Sequence, residues 1–202
     1  MSIITDAVKE IEKKMQGSGC DHGDITLETD PLIIPCPYVS GKGLLAKFGG
    51  KVSELTTSYP IEAVTRMSFM YGKTLNSPKQ RTAASAIINV ISVFMCFTRV
   101  SKACDEESYP LCLRELKSEI GDKKVYLNGN MPGLMEMIPL NITKSPDEAE
   151  IIIVSGDGIF GDEELLITEK YLEEKRVIFI GPTTLGVCAM NGYEHWCPYG
   201  RK

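Results

Sequence analysis

Two short apolar runs constrain this chain more than any other feature. Ile151–Val154 is unbroken aliphatic sequence and stops in Ser155-Gly156-Asp157-Gly158. Val177-Ile178-Phe179-Ile180 stops in Gly181-Pro182-Thr183-Thr184, and the residues between, 162–175, have helical spacing. Strand, loop, helix, strand, loop is a βαβ unit of a parallel sheet. Ligands of such sheets sit at the carboxyl ends of the strands, so both loops are placed at the site.

The flanking sequence extends the same pattern. Residues 124–127 read as a first strand, followed by Asn128-Gly129-Asn130-Met131-Pro132-Gly133 and one helical turn over 134–137. Residues 138–142 read as the next strand, which predicts a small doubly wound sheet. The first loop lacks G-x-G-x-x-G, and Leu140-Asn141-Ile142 offers no acidic residue for a ribose. A tight nicotinamide site is therefore not expected, while a shallower nucleotide-like pocket stays open.

Upstream the pattern changes. Residues 2–16 form a helix with Ile4, Val8, Ile11 and Met15 on one face. Residues 20–60 read as an antiparallel sheet of two or three strands, with Gly41-Lys42-Gly43 as a hairpin turn rather than a phosphate loop. Pro60 opens a predicted helix to about Met70. Ser77-Pro78 starts another, running to about Thr98 and apolar nearly all round, so it belongs in the middle of the fold. Asn89 inside it needs a hydrogen-bond partner, structural or functional. Residues 104–110 are polar and mark a boundary, and 111–120 form a short helix. The fold class is α/β: a small α+β N-terminal part followed by a Rossmann-like parallel-sheet domain. Its divisions are 1–76, a central buried helix and linker over 77–104, and a ligand-binding domain over 105–202.

Composition bounds the function. The net charge is −5 and no basic run occurs, which argues against a nucleic-acid partner. The longest apolar run, 83–97, is shorter than the ~20 residues of a membrane span, so no membrane is implied. Seven cysteines without a C-x-x-C pair, behind an N-terminus that is charged and amphipathic, point to a reducing, cytoplasmic setting with mostly free thiols.

The loops carry the chemistry. Gly156, Asp157 and Ser155 offer backbone N–H groups, a carboxylate and a hydroxyl. Gly181, Pro182, Thr183 and Thr184 offer two hydroxyls and exposed N–H groups for a carboxylate, a phosphate or a metal-bound group; the alternative is that the threonines cap the next helix. Cys188, His195 and Cys197, with Glu194 beside them, are candidate soft-metal ligands. Cys20 and His22 form a second Cys-x-His pair, flanked by Asp21 and Asp24. Neither pair has a zinc spacing. No oxyanion hole accompanies a Cys–His pair, so no catalytic residue is assigned.

The order of these motifs resembles the heavy-metal chelation family, over about residues 80–195. Arg81-Thr82-Ala83-Ala84-Ser85-Ala86-Ile87-Ile88-Asn89 is similar to that family's small-residue helix ending in Asn-Ala. Residues 125–133 are similar to its glycine-rich first strand and loop, and 147–163 to its segment where Ala-Asp leads into a strand and a Ser/Thr-Gly loop. Gly181-Pro182-Thr183-Thr184 is similar to its Gly-Pro-Ser-Thr loop, and Asn191-Gly192 to its terminal glycine. The chain departs from the pattern at Asp157-Gly158 and at Gly161. The resemblance implies an enolase-N-terminal-like α+β part joined to a Rossmann-like domain.

Three functions are then in play. The first is a cytoplasmic protein binding a metal or a metal-bearing small molecule in a cleft at the strand ends, with Asn89, Gly129, Asn130, Ser155, Gly156, Asp157, Gly181, Pro182, Thr183 and Thr184 around the ligand. The second is an S-adenosylmethionine-dependent methyltransferase of cofactor biosynthesis, its cofactor lined by Gly129, Asn130, Ser155, Asp157 and Thr183. The third is an interaction module without a small ligand. Free sheet edges would suit a homodimer.

Overall fold

The computed structural model describes residues 2–202, the side chain of Asp21 excepted. The fold is α/β, with an antiparallel sheet in the N-terminal part and a Rossmann-like parallel sheet in the C-terminal part. The first sheet comprises β1 (Asp24–Thr29), β2 (Lys42–Phe48), β3 (Lys51–Thr57) and β4 (Ala63–Arg66), in the order β3-β2-β1-β4. Gly41-Lys42-Gly43 does not turn the chain: β2 begins there. The hairpin lies at Gly49-Gly50, both at positive φ (54° and 77°), as the twist of a two-residue turn requires.

The helix expected from Pro60 does not form. Val64 and Thr65 are β-branched, and exposure alternates along Ala63–Arg66. The segment instead pairs with β1, Thr26 opposite Val64, and only Met67–Met70 coils, as a 3-10 turn.

Helix α1 (Ile3–Met15) buries Ile4, Val8, Ile11 and Met15 as its spacing dictates. Helix α2 (Pro78–Phe94) opens on a reciprocal cap, Ser77 Oγ accepting from the Gln80 amide and Gln80 returning a bond to Ser77 N–H. Its side chains from Arg81 to Ser92 are all buried. It packs between β2 and β3 of the first sheet and helix α7 (Leu185–Asn191) of the second part. One apolar core therefore runs from α1 and the first sheet through α2 to Ile152, Val154, Val177 and Phe179.

The second sheet is β5 (Val125–Asn128), β6 (Ile151–Val154), β7 (Arg176–Ile180) and β8 (His195–Trp196), all parallel and in that order. Its other face, carrying Val125, Ile151, Ile153, Ile178 and Ile180, is covered by α3 (Tyr109–Ile120) through Cys112, Leu116 and Ile120. Coverage of both faces is why the strands are apolar on consecutive residues. The strand expected over 138–142 is absent. Pro139 and its neighbours form a 3-10 turn, Pro139–Asn141, after α4 (Pro132–Met137), and only Ile142 bridges to Val125. Helix α6 (Asp162–Tyr171) supplies the crossover between β6 and β7. Among the described residues no helix is long and apolar enough to cross a membrane.

Candidate functional site

The strand-end loops do converge, but on protein rather than on open space. Ser155-Gly156-Asp157-Gly158 is not an open loop: it enters α5 (Asp157–Phe160), and all four residues are buried. The Asp157 carboxylate accepts from Thr57 Oγ1 (3.0 Å), Ser58 N–H (3.0 Å) and Ser58 Oγ (2.6 Å). Thr183 Oγ1 accepts from the Thr56 amide (3.0 Å) and lies 3.4 Å from the Thr56 carbonyl. Asn130 donates to the Ser40 carbonyl (3.1 Å). The end of β3 thus plugs the carboxyl ends of β6 and β7. Thr184 does not cap α7 but donates back to the Ile180 carbonyl (3.2 Å).

Asn89 is structural as well. Its amide donates to the carbonyls of Pro182 (3.1 Å) and Thr183 (3.0 Å) and accepts from Gly186 N–H (2.7 Å). A Cβ on Gly186 would run into Asn89, so the helix and the loop approach at a distance only glycine allows. Gly129 holds φ at 105° and packs against Ser155, whose buried hydroxyl has no hydrogen-bond partner.

The expected grouping of Cys188, His195 and Cys197 is corrected by the sheet. Cys188 is buried in the core on the α1–α2 face, and burial pushes its thiol well up. Cys197 follows β8 and lines a cavity with Cys112 of α3, which packs on the opposite face. His195 Nε2 lies 2.8 Å from the Gly181 carbonyl. That nitrogen therefore carries the proton, and only Nδ1 is left as an acceptor. Burial lowers its pKa to about 4, against the bond to Gly181, which raises it. Glu194 pairs with Arg176 at 2.5 Å instead. Cys20 and His22 sit in the 3-10 turn Cys20–His22, and the side chain of Asp21 lies outside the described residues. Among the described residues no three of His, Cys, Asp and Glu stand converged on a metal position.

A different group of cysteines meets at the carboxyl end of β7 and β8. A cavity of about 10 Å³ is lined by Cys36, Cys104, Cys112 and Cys197, with Tyr38 and Trp196 among the remaining wall residues. That is room for about one water-sized sphere. Two of the thiols lie in the same tripeptide, Cys36-Pro37-Tyr38 and Cys197-Pro198-Tyr199. The first is held over the strand ends by Ser40 N–H to the Asn130 carbonyl (3.1 Å) and Leu134 N–H to the Tyr38 carbonyl (3.4 Å). The second is strapped down by the tail, where Ser101 N–H and Lys102 N–H donate to the Arg201 carbonyl (2.7 and 3.1 Å).

Burial dominates the chemistry of this wall. It pushes the Cys36 thiol up to about 12, with the Tyr38 backbone amide acting in the opposite sense. It pushes Cys197 up to about 12 too, opposed by the Gly200 backbone. Trp196 Nε1 is buried without a hydrogen-bond partner, and the buried Tyr38 hydroxyl has the Cys112 thiol as its neighbour. All seven cysteines carry free thiols. Sequence reasoning singled out Cys197 but passed over Cys36, Cys104 and Cys112. The repeated Cys-Pro-Tyr was the signal that could have found two of them.

Comparisons with known proteins add little to this. No family model matches the chain, and no curated protein matches it. Among solved structures, the crystal structure of a protein of unknown function from the DUF364 family, from Pyrococcus horikoshii, is similar to it. The two share 16% identity over 88% of this chain and 79% of that one, with a TM-score of 0.47. At that distance the likeness carries nothing about function.

Proposed function

We propose that this protein binds a metal ion, or a small molecule that presents one, at the carboxyl end of β7 and β8. The observation that carries this reading is the cavity whose wall includes Cys36, Cys104, Cys112 and Cys197, brought from three irregular stretches of chain and from α3. Thiolates are ligands for soft metals, and sulfur-rich sets select them over hard cations. The resemblance to the heavy-metal chelation family points the same way.

An S-adenosylmethionine-dependent methyltransferase is the alternative, and it fits this geometry less well. A cofactor of that size occupies several hundred Å³, roughly the 300 Å³ or more of a small-molecule pocket. The loops that would line it are instead bonded to Thr56, Thr57 and Ser58. The larger depression of about 750 Å³, beside Lys51, Arg99 and Lys102, lies away from the strand ends.

The test is elemental analysis of protein purified anaerobically without a histidine tag, with a thermal-shift screen against nucleoside cofactors on the same sample. Metal near one per chain is expected. Metal-free protein that takes up no added metal, but is stabilised by S-adenosylmethionine, would replace this reading with the methyltransferase.

A further inference from the structure

Resting on the metal reading above, we infer that the cavity between the two Cys-Pro-Tyr segments takes one monovalent soft cation, copper(I) in its chemistry, bound by the thiolates of Cys36 and Cys197. The donor set comes first. The lining contains four cysteines and no Asp, Glu or His, which excludes the oxygen ligands that calcium and magnesium require and the mixed N/S sets common for zinc.

Charge then weighs against a four-thiolate zinc site. No lysine or arginine lines the cavity, and the wall is otherwise tyrosine, tryptophan, proline, alanine and glycine. Four thiolates around a divalent ion would leave a double negative charge in that surrounding, with no cation on the wall to offset it. Buried charge without a partner is costly by several kcal/mol per ion. Two thiolates around a monovalent ion leave a single negative charge. The wall supplies groups that suit it: the Trp196 N–H is buried and unpartnered, the Tyr38 hydroxyl already faces the Cys112 thiol, and both residues line the cavity. Each can donate to a thiolate sulfur, the role that outer-shell donors play around metal ligands.

Geometry agrees. Among the described residues no three donors are converged on one point, which disfavours a rigid tetrahedral site of the structural-zinc kind. Two-coordinate binding needs only one pair of thiols to turn inward. The volume, about 10 Å³, fits a single ion and no organic ligand.

The experiment is an anaerobic titration of the reduced full chain with copper(I) against a competing chelator, with zinc(II) titrated in parallel. About one copper(I) per chain is expected, with the luminescence of a solvent-shielded copper(I) thiolate, and zinc(II) should bind far more weakly. Cys36→Ala and Cys197→Ala should each weaken copper(I) binding by more than about 100-fold, beyond what loss of an outer-shell partner does. Tyr38→Phe should weaken it by about tenfold. Cys188→Ala, across the sheet, should leave it unchanged. Circular dichroism reports whether each variant folds, and Cys197→Ser serves if Cys197→Ala does not. Preference for zinc(II), or copper(I) binding undiminished in Cys36→Ala and in Cys197→Ala, overturns this inference and leaves the broader metal reading standing. A chain that binds no metal at all, its cavity holding only a water between Tyr38 and Trp196, overturns both.

Discussion

His195 shows how one residue can look functional and act structurally. Its Nε2–H is committed to the Gly181 carbonyl at 2.8 Å, which ties β8 to the loop after β7. Burial holds its folded pKa near 4, below the ordinary 6.5. On acidification the unfolded chain takes the proton first. The ring's contribution is therefore whole above about pH 6.5 and is lost between 6.5 and 4. His195 as a whole is half-buried, so we expect about 1–2 kcal/mol rather than the full linkage value. Denaturant unfolding at pH 7 and pH 5 measures it, and His195→Gln should flatten that interval. Asn89 makes a similar point. Asn89→Leu would leave Gly186 N–H and two carbonyls without partners, so a loss of about 3 kcal/mol is expected by urea denaturation. Asn89 reads as a site candidate in sequence because a buried amide always needs partners; the sequence does not say that the backbone of 182–186 provides them.

At the scale of elements, the junction of β3 with the strand-end loops decides what is left open. Asp157→Ala should cost about 2–4 kcal/mol of stability, since Thr57 and Ser58 lose a charged acceptor, and should leave metal affinity unchanged. Chemical denaturation and metal titration on the same variant separate the two effects. A loss of metal binding in a folded Asp157→Ala would return the site to the β6 loop. Helix α2 offers a simpler check: Ser77→Ala removes half of a reciprocal cap and should cost about 1 kcal/mol. Such elements were largely legible. The βαβ unit, α1, α2 and α3 follow from periodicity and caps. Besides Gly41-Lys42-Gly43, which begins β2 instead of turning the chain, two segments depart from the expectation for identifiable reasons. Residues 60–66 begin with a proline, which suits a helix start, yet Val64 and Thr65 fit the open edge of β1 better. Residues 138–142 are apolar enough for a strand, but Pro139 cannot donate to a ladder and only Ile142 reaches β5.

For the whole molecule, the defining contact is between stretches far apart in sequence. Cys36, Cys104, Cys112 and Cys197 come from the irregular segment before β2, the linker, α3 and the tail. No spacing rule links such positions, so the cavity was not legible before the halves were assembled. An ion bound by Cys36 and Cys197 would tie the segment before β2 to the tail. With metal at about 100 times its Kd, the folded state should gain about 2.7 kcal/mol. For a domain of this size that raises Tm by about 5–10 °C, a shift that thermal unfolding before and after a thiol-competing chelator would measure. X-ray absorption spectroscopy of the copper(I)-loaded chain looks directly at the atoms around the ion. A first shell of two sulfurs, with no nitrogen or oxygen, is the expected result. A shell containing an imidazole nitrogen or carboxylate oxygen would contradict it and move the ion away from the cysteine cavity.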